Sequence, residues 1–183
     1  MSEVVLMGHR GLEDELRARL GGAVRVAIVG IGDELQARDR LGILAVRELE
    51  GLHLCGVQVF NAGTVPEAIT GPVRRFRPDH IFLIDAADFG ARPGTVAVIG
   101  PEGVVTRTLS THALPLSVVM GYLEETTGSR VTLIGVQPDL SSRREELTAS
   151  EGAGLARIVS VLHRCLAWRD VSPVLRPRSS KAL

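Results

Sequence analysis

The sequence has little cysteine and no long apolar run. Cys55 and Cys165 are the only cysteines among 183 residues, and their separation does not match the ligand spacing of structural zinc sites. Both lie in apolar surroundings in the sequence, so we expect two buried, unpaired thiols in a reducing compartment. No apolar run approaches the roughly 18 to 20 residues that a membrane-spanning helix needs.

The sequence also lacks net charge, because 21 basic residues balance 21 acidic ones. This balance gives no support for a nucleic-acid footprint or for a polybasic membrane patch. A small basic cluster, Arg74, Arg75 and Arg77, is interpreted as a solvated helix face. The first residues show no basic segment followed by an apolar segment, as a secretory signal would. We therefore expect a soluble, cytoplasmic protein.

Two common hydrolase motifs are absent as well. The sequence contains neither Gly-x-Ser-x-Gly nor His-Glu-x-x-His. The first would place a nucleophilic serine on a strand-to-helix turn, and the second would place two zinc ligands on one helix. Serine-hydrolase and zincin mechanisms therefore have no support in this chain.

Short apolar runs alternate with segments of helical spacing, which predicts an α/β fold. The predicted strands are 24–29, 53–60, 81–84, 95–99 and 130–136, and the predicted helices are 12–20, 41–50, 65–77, 116–126 and 150–168. We expect strand 95–99 to be antiparallel, because its connection is too short for a crossover helix. The pattern predicts a three-layer α/β/α sandwich around a mostly parallel, mixed five-stranded sheet. We expect residues 1–169 to form a single α/β domain and residues 170–183 to form a mobile tail.

Three polar residues follow the predicted strands and precede the next elements. Asp85 directly follows the most apolar strand, Asp39 precedes helix 41–50, and His112 precedes the helix near 116. Ligands of open α/β sheets bind outside the carboxyl ends of the strands, so these residues are candidates for one site. Two carboxylates and an imidazole suit a divalent ion such as nickel or zinc. The alternatives are that Asp85 caps a turn and that Asp39 is a helix N-cap.

A glycine turn after the first strand raises the alternative of nucleotide binding. Gly30 and Gly32 follow a buried strand, as in dinucleotide-binding folds. The third glycine of that motif is replaced by Leu35, and the second strand ends at Asn61 rather than at an acid. We therefore reject dinucleotide binding and keep simple nucleotide binding as an alternative.

Several stretches together resemble the hydrogenase maturation endopeptidases. These enzymes trim a C-terminal extension from the large subunit of nickel-iron hydrogenases. The likeness is strongest to the branch that serves formate-hydrogenlyase-type hydrogenases. The matching stretches are 30–42 (GIGDELQARDRLG), 84–90 (IDAADFG) with Pro93-Gly94, 110–115 (STHALP) and 135–139 (GVQPD).

The resemblance implies a three-layer α/β/α peptidase-like fold, aspartic-type endopeptidase activity and a role in hydrogenase activation. It implies that Asp39, Asp85 and His112 contact a metal ion, with Asp39 and Asp85 catalytic. The metal is nickel that arrives with the large-subunit precursor, with zinc or another divalent ion as a substitute; no other cofactor, nucleic acid or membrane insertion is expected. The residues expected to support these ligands or to contact the substrate are Asp88, Gly32, Asp33 and Gln137.

The first motif departs from the family pattern. Arg38 stands where the family has an acid, and Ala37 and Arg40 stand where it has glycines. The two arginines put positive charge beside a proposed cation site. They motivate an alternative function, a non-catalytic binding module that recognises a hydrogenase-like subunit without cutting it.

Overall fold

The computed structural model describes residues 4–6, 9–99, 115–142 and 146–171. Its strands are β1 (Val4–Leu6), β2 (Val26–Ile31), β3 (Val57–Gly63), β4 (His80–Ala86), β5 (Val96–Ile99) and β6 (Arg130–Val136). Its α-helices are α1 (His9–Leu20), α2 (Leu41–Glu50), α3 (Thr70–Phe76), α4 (Leu116–Thr127) and α5 (Ala149–Val171), and a 3-10 turn, Pro66–Ile69, precedes α3.

These strands form one mixed sheet in the order β1-β5-β6-β4-β2-β3. Strands β6, β4, β2 and β3 are parallel, whereas β5 is antiparallel to β6, as its short connection predicts. All five predicted strands are present. Among the described residues a sixth strand, β1, was not predicted, and it pairs antiparallel with β5 at the sheet edge.

Helices cover both faces of the sheet, which confirms the three-layer α/β/α prediction. In β4, Phe82 and Ile84 pack in the cluster that contains α1, α2 and α5, whereas Ile81 and Leu83 pack in the cluster that contains α3 and α4. All seven residues of β4 are buried. A strand covered on both faces is apolar along most of its length rather than at alternate positions, and in β4 the polar residues are His80 at its start and Asp85 near its end.

Several helix boundaries differ from the prediction, among them the start of α1, which lies at His9 rather than at residue 12. The predicted helix 65–77 is divided into the 3-10 turn Pro66–Ile69 and α3, and Pro72 lies in the first turn of α3, where the amide hydrogen that proline lacks would be unpaired in any case. Helix α5 continues to Val171, two residues into the predicted tail, and 172–183 lie outside the described residues. None of the described helices is long and apolar enough to cross a membrane.

The two cysteines are free thiols, as predicted, but only Cys165 is buried. The prediction that Cys55 is buried is wrong, because this residue lies in the turn before the edge strand β3, where one side of the chain faces solvent. Burial raises the pKa of the Cys165 thiol, which also donates a hydrogen bond to the Glu13 carbonyl at 3.7 Å.

The thiols should therefore react at different rates. We expect Cys55 to react within minutes with a thiol-specific disulfide reagent in the native protein, because it is exposed. Cys165 should react only after unfolding in denaturant. Counting reacted thiols before and after denaturation measures both, and a native count of two or zero would contradict the structure.

A buried histidine lies at the start of β4. His80 is 1% exposed, and its Nε2 is 3.0 Å from the Thr132 hydroxyl on β6. Its ring is also 4.4 Å from that of Phe82, centroid to centroid. Burial, together with the positive charges of Arg130 and Arg19, lowers the pKa of His80 from 6.5 to about 4. The imidazole is therefore neutral in the folded protein at neutral pH.

This shift predicts a loss of stability in acid. Between pH 6.5 and pH 4 the unfolded chain binds a proton at His80 that the folded chain does not, so the free energy of unfolding falls as pH falls. The contribution reaches about 3 kcal/mol at pH 4. His80→Gln keeps a hydrogen-bonding group but cannot titrate, so its stability should fall less steeply over this range. Denaturant unfolding at several pH values measures both slopes, and equal slopes would contradict the assignment.

Candidate active site

The candidate site lies at the carboxyl edge of the parallel strands, where neighbouring connections leave toward opposite faces. From β2 the chain passes to α2, which packs on one face of the sheet. Helix α4 packs on the other face and leads into β6, which is the neighbour of β4. Such a reversal opens a crevice outside the strand ends, and ligands of open α/β sheets bind there. Asp85 and Asp39 both lie at this edge.

Asp85 is the penultimate residue of β4 and is completely buried, with 0% exposure. By strand alternation it lies on the face that carries Ile81 and Leu83, the face covered by α3 and α4. Its Oδ1 accepts a hydrogen bond from the N–H of Ala86 at 2.8 Å. Removing a carboxylate from water is costly unless hydrogen bonds, a charge partner or a cation offset the loss of solvation. A buried carboxylate at this edge is therefore a strong candidate for a functional group.

Asp39 does not cap helix α2, which corrects that alternative. The N-cap residue is Arg40, and no side chain caps this end of the helix. Instead, Asp39 Oδ2 accepts a hydrogen bond from the N–H of Asp33 at 3.0 Å. Asp33 in turn accepts hydrogen bonds from the N–H of Leu35 at 2.9 Å and from Gln36 Nε2 at 2.9 Å. The carboxylates of Asp33 and Asp39 thus hold the connection between β2 and α2 in one conformation through hydrogen bonds within the loop.

Glycines allow this loop and helix to lie directly against the strand ends. A Cβ at Gly42 would lie 2.2 Å from the Ile84 carbonyl oxygen and 2.3 Å from that of Ile31, and one at Gly32 would lie 1.8 Å from the Asp39 carbonyl oxygen. Gly42 is three residues after Asp39, and Ile84 immediately precedes Asp85. The close approach therefore brings the Asp39 loop to the end of β4. It also explains the glycine turn by backbone packing, without a bound nucleotide.

Gln137 and Asp88 hold the loop that follows β4. Gln137 is 3% exposed, and its Oε1 accepts hydrogen bonds from the N–H groups of Phe89 at 2.9 Å and Ala91 at 3.2 Å. Its Nε2 donates to Asp88 Oδ1 at 3.1 Å. Asp88 also accepts a hydrogen bond from the N–H of Gly90 at 3.0 Å, which closes a turn. Both side chains position this loop next to Asp85.

Sequence reasoning missed a similar contact at the start of α5. Glu151 is 4% exposed; its Oε1 accepts from the N–H of Asp139 at 2.8 Å, and its Oε2 accepts from the N–H of Thr148 at 2.8 Å. The Thr148 hydroxyl accepts from the N–H of Glu151 at 3.3 Å, which completes a capping box. The Thr-x-x-Glu spacing was the available signal. Through Glu151, α5 fixes the loop after β6.

The side chain of Arg38 contacts the loop that follows β6. Its Nη2 donates a hydrogen bond to the Ser142 carbonyl oxygen at 3.2 Å. The pKa of Asp139 is lowered, first by a hydrogen bond from the Ser141 hydroxyl, with smaller contributions that include the charge of Arg38. The guanidinium therefore has contacts of its own beside the site.

Of the three predicted metal ligands, the structure describes Asp39 and Asp85 but not His112. His112 lies outside the described residues, so its position relative to Asp39 and Asp85 stays a prediction. Within residues 4–6, 9–99, 115–142 and 146–171, no group of three or more His, Cys, Asp or Glu side chains is arranged to hold a metal ion.

Several known proteins similar to this chain are named as hydrogenase maturation proteases. A family profile described as hydrogenase maturation protease matches residues 43–160, which include Asp85 but not Asp39. A relative from Methanocaldococcus jannaschii, whose name places it among hydrogenase maturation proteases, is 31% identical over 137 residues, covering 70% of this chain and 81% of its own length. The hydrogenase 3 maturation protease of Escherichia coli K12 is 28% identical over 111 residues, covering 60% and 70%.

Solved structures agree with these sequence matches. The crystal structure of a nickel-iron hydrogenase maturation protease from Thermococcus kodakarensis superposes with a TM-score of 0.75 at 31% identity, covering 84% of this chain and 99% of that one. A crystal structure of the hydrogenase 3 maturation protease gives a TM-score of 0.68 at 25% identity, covering 80% and 92%.

The close approach at Gly42 can be tested by adding a methyl group. Gly42→Ala should lower the free energy of unfolding by about 3 kcal/mol, because the neighbouring carbonyl groups belong to strands and cannot move aside. Gly121→Ala is the control, since a Cβ at this helical position meets nothing within 4 Å. It should raise stability by roughly 0.5 to 1 kcal/mol. Denaturant unfolding measures both, and a neutral Gly42→Ala would contradict the packing described here.

Proposed function

The chain belongs to the hydrogenase maturation protease family, and from this premise we propose that it removes the C-terminal extension of a nickel-iron hydrogenase large-subunit precursor. The proposal is supported by the family match together with one structural observation. Asp85, inside the matched region, is a fully buried carboxylate at the carboxyl edge of the sheet. Acid–base catalysis of peptide-bond hydrolysis needs a carboxylate held in a fixed position, and Asp85 is held in this way at the end of β4.

The nickel ion in this proposal belongs to the substrate. The precursor carries it to the crevice, where Asp39, Asp85 and His112 contact it and so place the scissile bond. Carboxylate oxygens and an imidazole nitrogen are a suitable donor set for a divalent ion of intermediate softness. In this scheme nickel recognition makes processing conditional on metal insertion, and the same step activates the hydrogenase.

The carboxylates also supply the proton chemistry. One carboxylate of the Asp39 and Asp85 pair takes a proton from the water that attacks the peptide carbonyl, and the proton passes to the departing amine. This is the general-base role of carboxylates in aspartic-type hydrolysis. Gln137 and Asp33 act by holding the adjoining loops, through the hydrogen bonds to Phe89, Ala91 and Leu35.

The alternative is a binding module that recognises the subunit without cutting it. It was motivated by positive charge beside the cation site. The hydrogen bond from Arg38 to the Ser142 carbonyl weakens this motive for Arg38, because it directs the guanidinium toward the loop after β6. The two functions differ in outcome, since a binding module forms a complex with the precursor but leaves its mass unchanged.

Replacement of Asp85 by Asn tests the charge-dependent role. Asn has nearly the same shape, and its amide oxygen can still accept the hydrogen bond from Ala86, but it carries no negative charge. We expect trimming of the nickel-loaded precursor to slow by at least about a hundredfold. The measurement is loss of C-terminal mass by mass spectrometry, with a thermal melt of the variant alongside.

Asp14→Asn is the matched control, because Asp14 is exposed on α1 and far along the chain from the site. It should trim at the wild-type rate. Normal trimming by Asp85→Asn with an intact melt would remove the catalytic role of this carboxylate. Equal trimming of nickel-free precursor would refute the nickel requirement alone, and stable binding without trimming by the wild type would favour the binding module.

A further inference from the structure

An open pocket of about 940 Å³ lies at the opposite, amino edge of the parallel strands. It is formed where the chain enters β2 and β4 and where α3 and α4 end. Its lining residues are Arg25, Gly71, Arg74, Arg75, Arg77, Pro78, Asp79, Thr126, Thr127 and Gly128. The sequence analysis interpreted Arg74, Arg75 and Arg77 as a solvated helix face. The structure adds Arg25, the residue before β2, to this cluster.

Within the part of the chain that the structure describes, the arginines of this pocket lack carboxylate partners. None of the ion pairs among the described residues involves Arg25, Arg74, Arg75 or Arg77. The single acid in the lining, Asp79, accepts hydrogen bonds through Oδ2 from the N–H groups of Val24 at 2.8 Å and Arg25 at 2.7 Å. Four positive charges therefore face one negative charge that already has backbone donors.

Helix ends offset only part of this excess. The C-termini of α3 and α4 both reach the pocket, and each contributes at most about half a negative charge through its helix dipole. Together with Asp79 they balance about two of the four positive charges. The pocket therefore keeps an excess of about two positive charges, which matches a dianion.

One of these arginines occupies a backbone position that favours glycine. Arg77 ends α3 in the left-handed region, at φ 52°, whereas the corresponding end of α4 uses Gly128 at φ 69°. A side chain at such a position has an energetic cost that glycine avoids. The helix end would therefore be at least as stable with glycine at 77, so its stability does not explain the guanidinium.

We propose that this pocket binds a phosphate dianion, either as the free ion or as a monoester. Guanidinium groups present paired N–H donors that match phosphate oxygens in geometry and charge. Arg74 donates a hydrogen bond from Nη1 to the Tyr122 hydroxyl at 3.3 Å, and its other N–H donors have no hydrogen-bond partner among the described residues. The pocket is large enough for an organic group attached to the phosphate. The site is separate from the carboxylate crevice and does not depend on the proposed protease function.

Calorimetric titration of the full chain with inorganic phosphate tests the site, at pH 8 and at fixed ionic strength adjusted with potassium chloride. Fixed ionic strength matters because salt screens exposed charges. We expect saturable one-to-one binding. The double substitution of Arg74 and Arg75 by Ala should weaken binding at least tenfold, because each lost guanidinium removes charge-assisted hydrogen bonds.

Arg77→Gly separates binding from folding. It should weaken phosphate binding by a similar factor, while the melting temperature stays the same or rises because the backbone position suits glycine. Arg92→Ala is the matched control, since Arg92 is exposed and lies outside the pocket. Phosphate binding by this control should equal that of the wild type.

Methyl phosphate distinguishes the two sources of the dianion. Binding at least as tight as that of inorganic phosphate assigns the site to phosphate esters, and binding of inorganic phosphate alone assigns it to the free ion. The proposal is overturned if neither binds, or if Arg92→Ala weakens binding as much as the pocket substitutions.

Discussion

The direct contact of the first turn of α2 with two strand ends is the constraint on which the carboxyl edge depends. Gly42 lies where any side chain would overlap the carbonyl groups of Ile31 and Ile84. The main chain therefore crosses the edge of the sheet at van der Waals distance, and the loop before the helix has only a short path to follow. Asp39 on that loop and Asp85 on β4 are brought to the same edge by backbone geometry.

Buried polar side chains also fix the loops at the carboxyl edge of the sheet, in addition to the close packing at the glycines. Gln137 joins the end of β6 to the loop after β4, and Glu151 joins α5 to the loop after β6. Each is almost fully buried, so each lost hydrogen bond would leave a buried donor or acceptor unpaired. The loops after β4 and β6 are thus held by a buried amide and a buried carboxylate, and Arg38 joins the loop between β2 and α2 to the loop after β6.

The fold was predictable where local pattern and tertiary burial agree. The bounds of β6 and α2 match the predicted 130–136 and 41–50, because apolar runs there end at polar or glycine residues. Strand β1 was missed because three residues carry no periodic signal, and its pairing with β5 comes from a distant part of the chain. At the site, the strand-end rule placed Asp85 and Asp39 at one edge. It could not find the contact of Arg38, which depends on a loop distant in sequence, whereas the Thr-x-x-Glu spacing at Glu151 was a local signal that the rule does not use. His112 lies outside the described residues.

The loop between β2 and α2 has a thermodynamic consequence for association. Asp33 and Asp39 close it with hydrogen bonds that need no partner molecule, and Leu35 at its tip remains 93% exposed. A loop already held in one conformation loses little conformational entropy when another protein binds against it. More of the interaction energy is then retained as affinity than if the loop had to become ordered on binding. The exposed leucine would therefore contact another protein from a backbone that is already ordered, rather than from a segment that folds on binding.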